Sequence, residues 1–149
     1  KLHLVPRSDV ILIRRLRFVE GIPIAIHTAF LEYPAFARLI DVDLSSNSLL
    51  LSIEQLFDVH AAYSKDSVWA AIANREEAFL LNLSPGSPVL KMEGVTYTEN
   101  GVPTRYNMAV YRGENFKMVI TNRNDHSNSF NFMDLPSEFS GKRGENEQI

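Results

Sequence analysis

Two closely spaced arginines are the side chains in this sequence best suited to binding an anion. Arg15 and Arg17 lie two residues apart in the segment ILIRRLRFVEG, whose β-branched and aromatic residues predict a strand. Successive side chains on a strand point to opposite faces, so these two share one face and Arg14 lies on the other. Neighbouring guanidinium groups repel one another unless water or an anion lies between them. The pair therefore fits either a phosphate or carboxylate pocket or a solvated strand face with surface ion pairs.

His27 and Arg105 are further candidates for a binding site. Each lies on a segment that follows a predicted turn, His27 in PIAIHTAFL and Arg105 in PTRYNMAVYRG. A single histidine among apolar residues is more often half-buried and hydrogen-bonded than part of a site. Arg112 either binds an anion or forms a salt bridge with Glu114, and the salt bridge is slightly favoured.

The sequence contains no recognisable catalytic set. Its segment SPGSP has serines beside a glycine but no nearby His-Asp pattern to activate a nucleophile, so it is better explained as a turn. Neither Gly-x-x-x-x-Gly-Lys-Ser/Thr nor Gly-x-Gly-x-x-Gly occurs. His3, His60 and His126 show no metal-ligand spacing with His27, and there is no cysteine. We therefore expect no metal, no cofactor and no enzymatic activity.

Length and composition favour one globular domain without a membrane span. The 149 residues suit a single domain, and no apolar run approaches the roughly 18 residues that a membrane helix needs. A net charge of −3 argues against this chain itself binding the nucleic-acid backbone. The lack of cysteine fits the reducing cytoplasm, where we expect the protein to be.

An internal repeat organises the chain. The opening run LHLVPRSDV, from Leu2, looks like the remnant of a protease-tag site, but its pattern L-x-L-x-P-x-S-x-V recurs in LNLSPGSPV, from Leu81. Each copy continues into a strand-length run, a Gly-x-Pro turn at Gly21 or Gly101, and a return strand. A tag has no reason to match the middle of the protein. We therefore expect the opening run to be part of the fold and the chain to contain two related β-hairpins.

The segments between the two copies predict two helices and one more strand. YPAFARLIDVDL predicts a short helix, and LLLSIEQLF predicts another, capped by one of residues 46–48. AAYSKDSVWAAIA favours a strand, although its alanines also permit a helix. Asn74 and Glu77 form a capping-box pattern at the start of NREEAFLLNL, whose expected buried residues include Phe79.

The end of the chain predicts a last strand and then a polar tail. GENFKMVI, after Arg112, fits a strand, and the following residues are mostly Asn, Ser, Gly and charged. We expect residues 1–120 to form one domain and 121–149 a partly disordered segment, with FNFMDL as a docking candidate and 141–149 mobile. The predicted fold class is α+β, a mostly antiparallel sheet built from two related hairpins with flanking helices.

Two long segments together resemble the UTRA domain, the effector-binding domain of GntR-type transcription regulators of the HutC subfamily. They are RRLRFVEGIPIAI and ANREEAFLLNLSPGSPVLKMEGVTYTENGVPTRYNMAVYRGENFKM. The resemblance lies in the order of R-x-R, an acidic-Gly-x-Pro turn, a helix ending in L-x-L-x-x-G-x-P-V, a second Gly-x-Pro turn and Y-R-G-D/E. It covers about residues 2–120.

The resemblance implies a fold like that of chorismate lyase, a homodimer, and a small anionic effector such as a sugar phosphate or an organic acid. It also implies contact with operator DNA only through an N-terminal winged helix-turn-helix, which this chain lacks. Two alternatives stay open: an enzyme on the same fold, and a dimerisation module without a ligand. In the second case Arg15 and Arg17 would lie exposed on an open sheet face.

The resemblance also implies roles for individual residues. Arg15 and Arg17 match the R-x-R arginines that contact the anionic part of the effector in the family's sugar-phosphate binders. His27 and Arg105 fall where those members commonly have glutamates. Because the two side chains offer donors instead of carboxylate acceptors, they favour a more anionic effector than an amino-sugar phosphate.

Three more residues enter the predicted site through the resemblance. Ser64 and Ser67 match a region that supplies hydroxyl contacts in the family. Tyr111, in Y-R-G-E, is aligned with a residue that closes the pocket, whereas Arg112 beside it is expected to be structural.

Overall fold

A five-stranded antiparallel sheet forms the centre of this computed structural model, which describes residues 1–45, 47–122 and 128–134, with side chains as far as residue 114. The strands are β1 (Val10–Val19), β2 (Ile22–Glu32), β3 (Tyr63–Ile72), β4 (Pro88–Tyr97) and β5 (Pro103–Arg112). Their order is β1-β2-β5-β4-β3. The two predicted hairpins, β1–β2 and β4–β5, are therefore confirmed and meet through their return strands, and β3 forms one edge.

Helices and a second small sheet complete the described structure. They are a 3-10 helix (Ala37–Asp41), α1 (Leu49–Phe57), α2 (Arg75–Leu80), a second 3-10 helix (Gly113–Asn115), and the paired strands β6 (Phe116–Asn122) and β7 (Asn128–Asp134). YPAFARLIDVDL thus forms only a 3-10 helix. No helix in this described part is long and apolar enough to cross a membrane.

The C-terminal prediction falls partly outside the described residues. The last predicted strand is β6, which runs past the expected domain boundary at residue 120, and FNFMDL lies mostly in β7. The expected mobile stretch 141–149 and the histidine at 126 lie outside the described residues, as does Ser46, one of three expected helix caps.

The segments that lead into the two hairpins fold alike. The Ser8 N–H donates to the Val5 carbonyl at 3.0 Å, and in the second copy the Ser87 N–H donates to the Ser84 carbonyl at 3.1 Å. Left-handed φ angles recur at matching positions: His3 (57°) with Asn82 (52°), and Arg7 (73°) with Gly86 (83°). The opening run is therefore folded as the repeat predicts, with the same turn geometry as its twin.

An approximate twofold axis relates the hairpins at the centre of the sheet. In the repeat, Gly21 corresponds to Gly101, and both adopt the positive φ that their tight turns need. At the same spacing Thr28 of β2 corresponds to Met108 of β5, and these two residues pair directly across the central strands. Joining two copies of one hairpin in this way makes β2 and β5 the inner strands.

The two faces of the sheet are covered by different elements. On the first face the buried residues are Ile11, Ala29 and Leu31 of the sheet with Phe36, Leu39, Leu49 and Ile53 of the 3-10 helix region and α1. On the opposite face they are Ile26 and Val89 of the sheet with Ala73, Ala78 and Leu81 in and around α2. Each helix shields only part of its face, so the first face keeps an open region beside α1.

Polar contacts fix α2 to the sheet. The predicted capping box is confirmed, since the Asn74 side chain accepts from the Glu77 N–H at 2.8 Å and Glu77 accepts from the Asn74 N–H at 2.9 Å. Glu77 also accepts from Lys91 Nζ of β4 at 2.6 Å. Phe79 was expected to be buried, but it is 84% exposed. The helix turns about 100° per residue, so Phe79 points away from the sheet-facing Ala78.

Replacing Asn74 tests the contribution of the cap. We expect Asn74→Ala to lower the free energy of unfolding by about 1 kcal/mol, because the Glu77 N–H loses its acceptor. Asn74→Ser is the matched control, because a serine cap can accept the same bond. Urea denaturation followed by circular dichroism measures both variants, and equal stability of Asn74→Ala and the wild type would contradict the prediction.

Candidate functional site

A cavity of about 500 Å³ opens on the first face of the sheet, beside the start of α1. Its size lies within the roughly 300–1,000 Å³ typical of small-molecule sites. Three arginines and a histidine line it, and among the described residues its lining includes no aspartate or glutamate. The cavity is therefore cationic although the chain as a whole carries a net charge of −3.

Small residues on the inner strands make the floor of the cavity. Ala25 and Ala29 of β2 and Ala109 of β5 are almost fully buried, at 1%, 7% and 3% exposure. The register places Ala25 opposite Tyr111 and Ala109 opposite His27. Since alanine has no side chain beyond Cβ, the centre of this face is recessed, and the longer side chains on both sides rise above it.

The two arginines of β1 face the cavity together, as their spacing predicts, but they have different contacts. Arg15 Nη1 donates to the backbone carbonyls of Leu44 at 3.2 Å and Asn47 at 3.0 Å, so it holds the loop that precedes α1. Arg17 lines the same cavity and has no hydrogen-bond or ion-pair partner among the described residues. Arg14 lies on the opposite face, where it pairs with Glu76 at 2.5 Å.

His27 lies between the arginines and Tyr111. The register pairs it with Arg15, and its ring meets the Tyr111 ring edge-on, with 5.4 Å between centroids. Burial and the charges of Arg17, Arg15 and Arg105 lower the pKa of His27 from its ordinary 6.5 to about 4. The imidazole is therefore neutral at pH 7, with one nitrogen able to donate and the other able to accept.

Arg105 enters the cavity from β5 and is mostly enclosed. Its Nη2 donates to Thr96 Oγ1 at 3.2 Å, while its Nε is buried without a partner among the described residues. Burial lowers the pKa of the guanidinium, and the negative charge of Asp66 partly opposes this effect. Asn107 lies two residues further along β5, on the same face, and its Oδ1 is likewise buried without a partner there.

Five of the seven predicted site residues line the cavity: Arg15, Arg17, His27, Arg105 and Tyr111. The two serines do not. Ser64 lies at the β3 edge of the same face and donates its hydroxyl to Asp66. Ser67 pairs with Glu93 and lies on the opposite face, because residues three apart on a strand point to opposite sides.

The prediction is right for Arg112 and incomplete for Asn107. Arg112 was expected to be structural, and its guanidinium donates to the Leu81 carbonyl at 3.2 Å and pairs with Glu114. Asn107 is absent from the predicted site, although it shares a strand face with Arg105, two residues away. The alternation of side chains along β5 is the sequence signal that indicates this position. Within the described ranges, no cluster of three His, Asp or Glu side chains could hold a metal ion.

Comparison with known proteins relates the segment that contains the five-stranded sheet to one family. The family model of the UTRA domain matches residues 1–117. The chain is 29% identical over 112 residues to the HTH-type transcriptional repressor NagR of Bacillus subtilis (strain 168), a match that covers 75% of this chain and 46% of the repressor. The chain spans less than half the length of the curated relatives that it matches.

Solved structures agree in fold. A GntR-family transcriptional regulator from Enterococcus faecalis V583 superposes with a TM-score of 0.72 at 26% identity, covering 82% of this chain and 87% of that one. A ligand-binding domain from Bordetella bronchiseptica, whose parent protein is assigned to the GntR family of transcriptional regulators, gives a TM-score of 0.69 at 26% identity. That match covers 76% of this chain and 74% of the other.

The environment of His27 predicts an acid-sensitive stability. Between pH 6.5 and about 4 the unfolded chain binds a proton at His27 that the folded domain excludes, so stability falls as the pH falls through this window. The full effect is roughly 3 kcal/mol. We expect His27→Gln to flatten this part of the pH profile, measured by urea denaturation at several pH values.

An exposed histidine provides the control for this measurement. His60 pairs with Glu54 and Asp58 at the surface, and these contacts raise its pKa. The His60→Gln variant should therefore still lose stability as the pH falls from 6.5 to about 4, because it retains His27. An unchanged profile in His27→Gln, or an imidazole of His27 that titrates near pH 6.5 by NMR, would contradict the assignment.

Proposed function

Because the chain belongs to the UTRA domain family, we propose that it is the effector-binding domain of a GntR-family transcription regulator and binds a small anionic metabolite. One observation carries the proposal: three arginine side chains and a neutral histidine surround a cavity whose described lining has no carboxylate. A guanidinium group binds phosphate or carboxylate through charge-assisted hydrogen bonds. We infer a binding role and not an enzymatic one, because the curated relatives are described as transcriptional regulators.

Arg17 is the side chain best placed to bind the anion. It lines the cavity, and its guanidinium is not engaged by any described neighbour. Arg15 adds positive charge next to it, while its Nη1 also holds the carbonyls of Leu44 and Asn47. An anion between the two arginines would offset their mutual repulsion and would favour a protonated His27, whose pKa these charges now help to lower.

The structure supports a route by which the bound effector acts on the start of the chain. Lys1 Nζ pairs with Glu93 at 2.5 Å and donates to the Tyr106 hydroxyl at 3.2 Å, on the face opposite the cavity. Tyr106 lies between Arg105 and Asn107 in β5. This strand segment therefore lines the cavity on one face of the sheet and contacts Lys1 and Glu93 on the other. In this proposal the domain forms a homodimer, and a separate winged helix-turn-helix binds operator DNA.

Coupling in such a system is a difference in ligand affinity between two arrangements of the dimer. A ligand that prefers one arrangement shifts the equilibrium towards it, and about 1–3 kcal/mol of coupling is typical of regulatory proteins. Contact between Lys1 and β5 would let this preference reach the region before the domain.

Arg17→Ala tests the binding site directly. We expect the variant to bind its effector at least about tenfold more weakly, since hydrogen bonds to charged groups contribute about 1.5–3 kcal/mol. Arg14→Ala is the matched control, because this neighbour lies on the opposite face. Thermal unfolding against inorganic phosphate, sugar phosphates and carboxylic acids identifies the ligand, which at 100 times its Kd adds about 2.7 kcal/mol of stability.

Three outcomes would contradict the proposal. Equal affinities of Arg17→Ala and the wild type would exclude this cavity as the site. Chemical conversion of the bound compound would identify an enzyme instead. A complete lack of stabilisation across the anionic panel would argue against an anionic effector.

Tyr106→Phe tests the proposed route to the start of the chain. The variant keeps the ring that stacks on Phe30, with 5.6 Å between centroids, but loses the hydroxyl that contacts Lys1 and Glu93. We expect an unchanged Kd for the stabilising anion and a smaller ligand-induced decrease in amide hydrogen exchange over residues 1–9. Hydrogen-exchange mass spectrometry measures the decrease, and an equal decrease in both proteins would exclude this contact as the route.

A further inference from the structure

Cationic groups reach the cavity from two separate places in the sheet. Arg15 and Arg17 project from β1, at one edge, whereas Arg105 and Asn107 project from β5, two strands away. Arg15 is level with His27 and Ala109, and Arg105 lies four residues before Ala109 in β5. The spacing between strands and the rise per residue place the Cα atoms of Arg15 and Arg105 about 17 Å apart. A single small anion cannot reach from β1 to β5. The long arginine side chains can nevertheless contact one ligand from both sides.

The part of the cavity near β5 contains two buried polar atoms without a partner among the described residues. They are Arg105 Nε, a donor, and Asn107 Oδ1, an acceptor. Buried polar groups are almost always hydrogen-bonded, because an unmade bond leaves the loss of hydration uncompensated. The two atoms belong to residues on the same face of one strand, both of which line the cavity. Their opposite hydrogen-bonding character matches a ligand group that both accepts and donates.

No carboxylate among the described residues forms an ion pair with Arg105. Among the described residues, Asp66 is an acidic residue whose charge acts on the guanidinium through space. The Asp66 carboxylate accepts from the Ser64 hydroxyl and lies over Gly94, in the space that a Cβ on this glycine would occupy. Arg112 also has a buried Nε without a described partner, but its guanidinium pairs with Glu114. Arg105 lacks such an ion pair within the described part of the chain.

We propose that Arg105 and Asn107 form a second subsite, which binds a second acidic group of the ligand. The ligand is then a two-ended acid, with one anionic end at Arg15 and Arg17 and a carboxylate at Arg105. A hydroxyl or amino group on the carbon next to that carboxylate donates to Asn107 Oδ1. The middle of the ligand lies over the alanine floor of the cavity. This inference rests on the proposed function and adds the chemical class of the effector.

Matched pairs of simple compounds test the second subsite in the wild-type domain. The probes are ω-phosphonocarboxylates with two to six methylene groups, each compared by calorimetry with the alkylphosphonate of the same length. We expect the carboxylate to improve affinity at least about tenfold at the length that spans both subsites, the gain typical of one charge-assisted contact. Alkylphosphonates should bind through Arg15 and Arg17 alone.

Arg105→Met assigns the carboxylate contact to one residue. We expect this variant to lose the advantage of the carboxylate, measured as the ratio of the affinities of the two matched compounds in the same variant. The ratio cancels the general loss of positive charge, which weakens both compounds alike. We also expect its melting temperature without ligand to be equal or higher, because it removes a buried cation that no described carboxylate contacts. A purely structural Arg105 would show the opposite, a lower melting temperature with the carboxylate advantage intact.

The outcomes separate this inference from the proposed function. Binding of alkylphosphonates with no carboxylate advantage at any length would overturn the second subsite and leave the proposed function standing. A lack of binding by both series would overturn both. A carboxylate advantage that persists in Arg105→Met would also overturn the assignment of the subsite, whatever the stability of the variant.

Discussion

The burial of positive charge with no carboxylate in contact among the described residues is the constraint on which the candidate site depends. Arg105 is mostly enclosed. Its described hydrogen bond is to the Thr96 hydroxyl, and the charge of Asp66 acts on it through space. Such a group destabilises the ligand-free domain, since desolvation of a cation is offset only by hydrogen bonds or opposite charge. The rest of the fold must compensate. The paired hairpins, the apolar clusters on both faces and the fixed helix α2 supply the necessary stability away from the cavity.

The repeat explains how one sheet carries two different polar regions. At the spacing that relates Gly21 to Gly101, His27 of the first hairpin corresponds to Asn107 of the second. Both face the cavity because the twofold axis between β2 and β5 keeps equivalent residues on the same side. The symmetry ends at the side chains, since Ala25 is the counterpart of Arg105. A duplicated scaffold thus provides equivalent positions, and sequence divergence gives each one a different hydrogen-bonding character.

The sequence predicts those features that depend on local pattern. Alternation and turn residues indicate the five strands, and the spacing of Asn74 and Glu77 indicates the start of α2. The shared face of Arg15 and Arg17 follows from the period of a strand. Long-range features do not follow in this way. The pairing of β2 with β5 and the position of α1 create the cavity, and they depend on contacts between distant segments. Asn107 differs from these features, because its shared face with Arg105 follows from the local alternation of β5.

The two arginines of the R-x-R pattern have different contacts in the folded domain. Arg15 has its Nη1 bonded to two carbonyls of the loop before α1, so its replacement would disturb that loop as well as the charge of the cavity. Arg17, one strand period away, has no such contact within the described residues. Removing Arg15 therefore disturbs both the loop and the charge of the cavity. Removing Arg17 breaks no described hydrogen bond and changes only that charge, which together with burial lowers the pKa of His27. The difference arises from the loop before α1, whose described contacts with the two arginines are made by Arg15. An anion bound between the arginines, as proposed, would therefore also act on the start of α1.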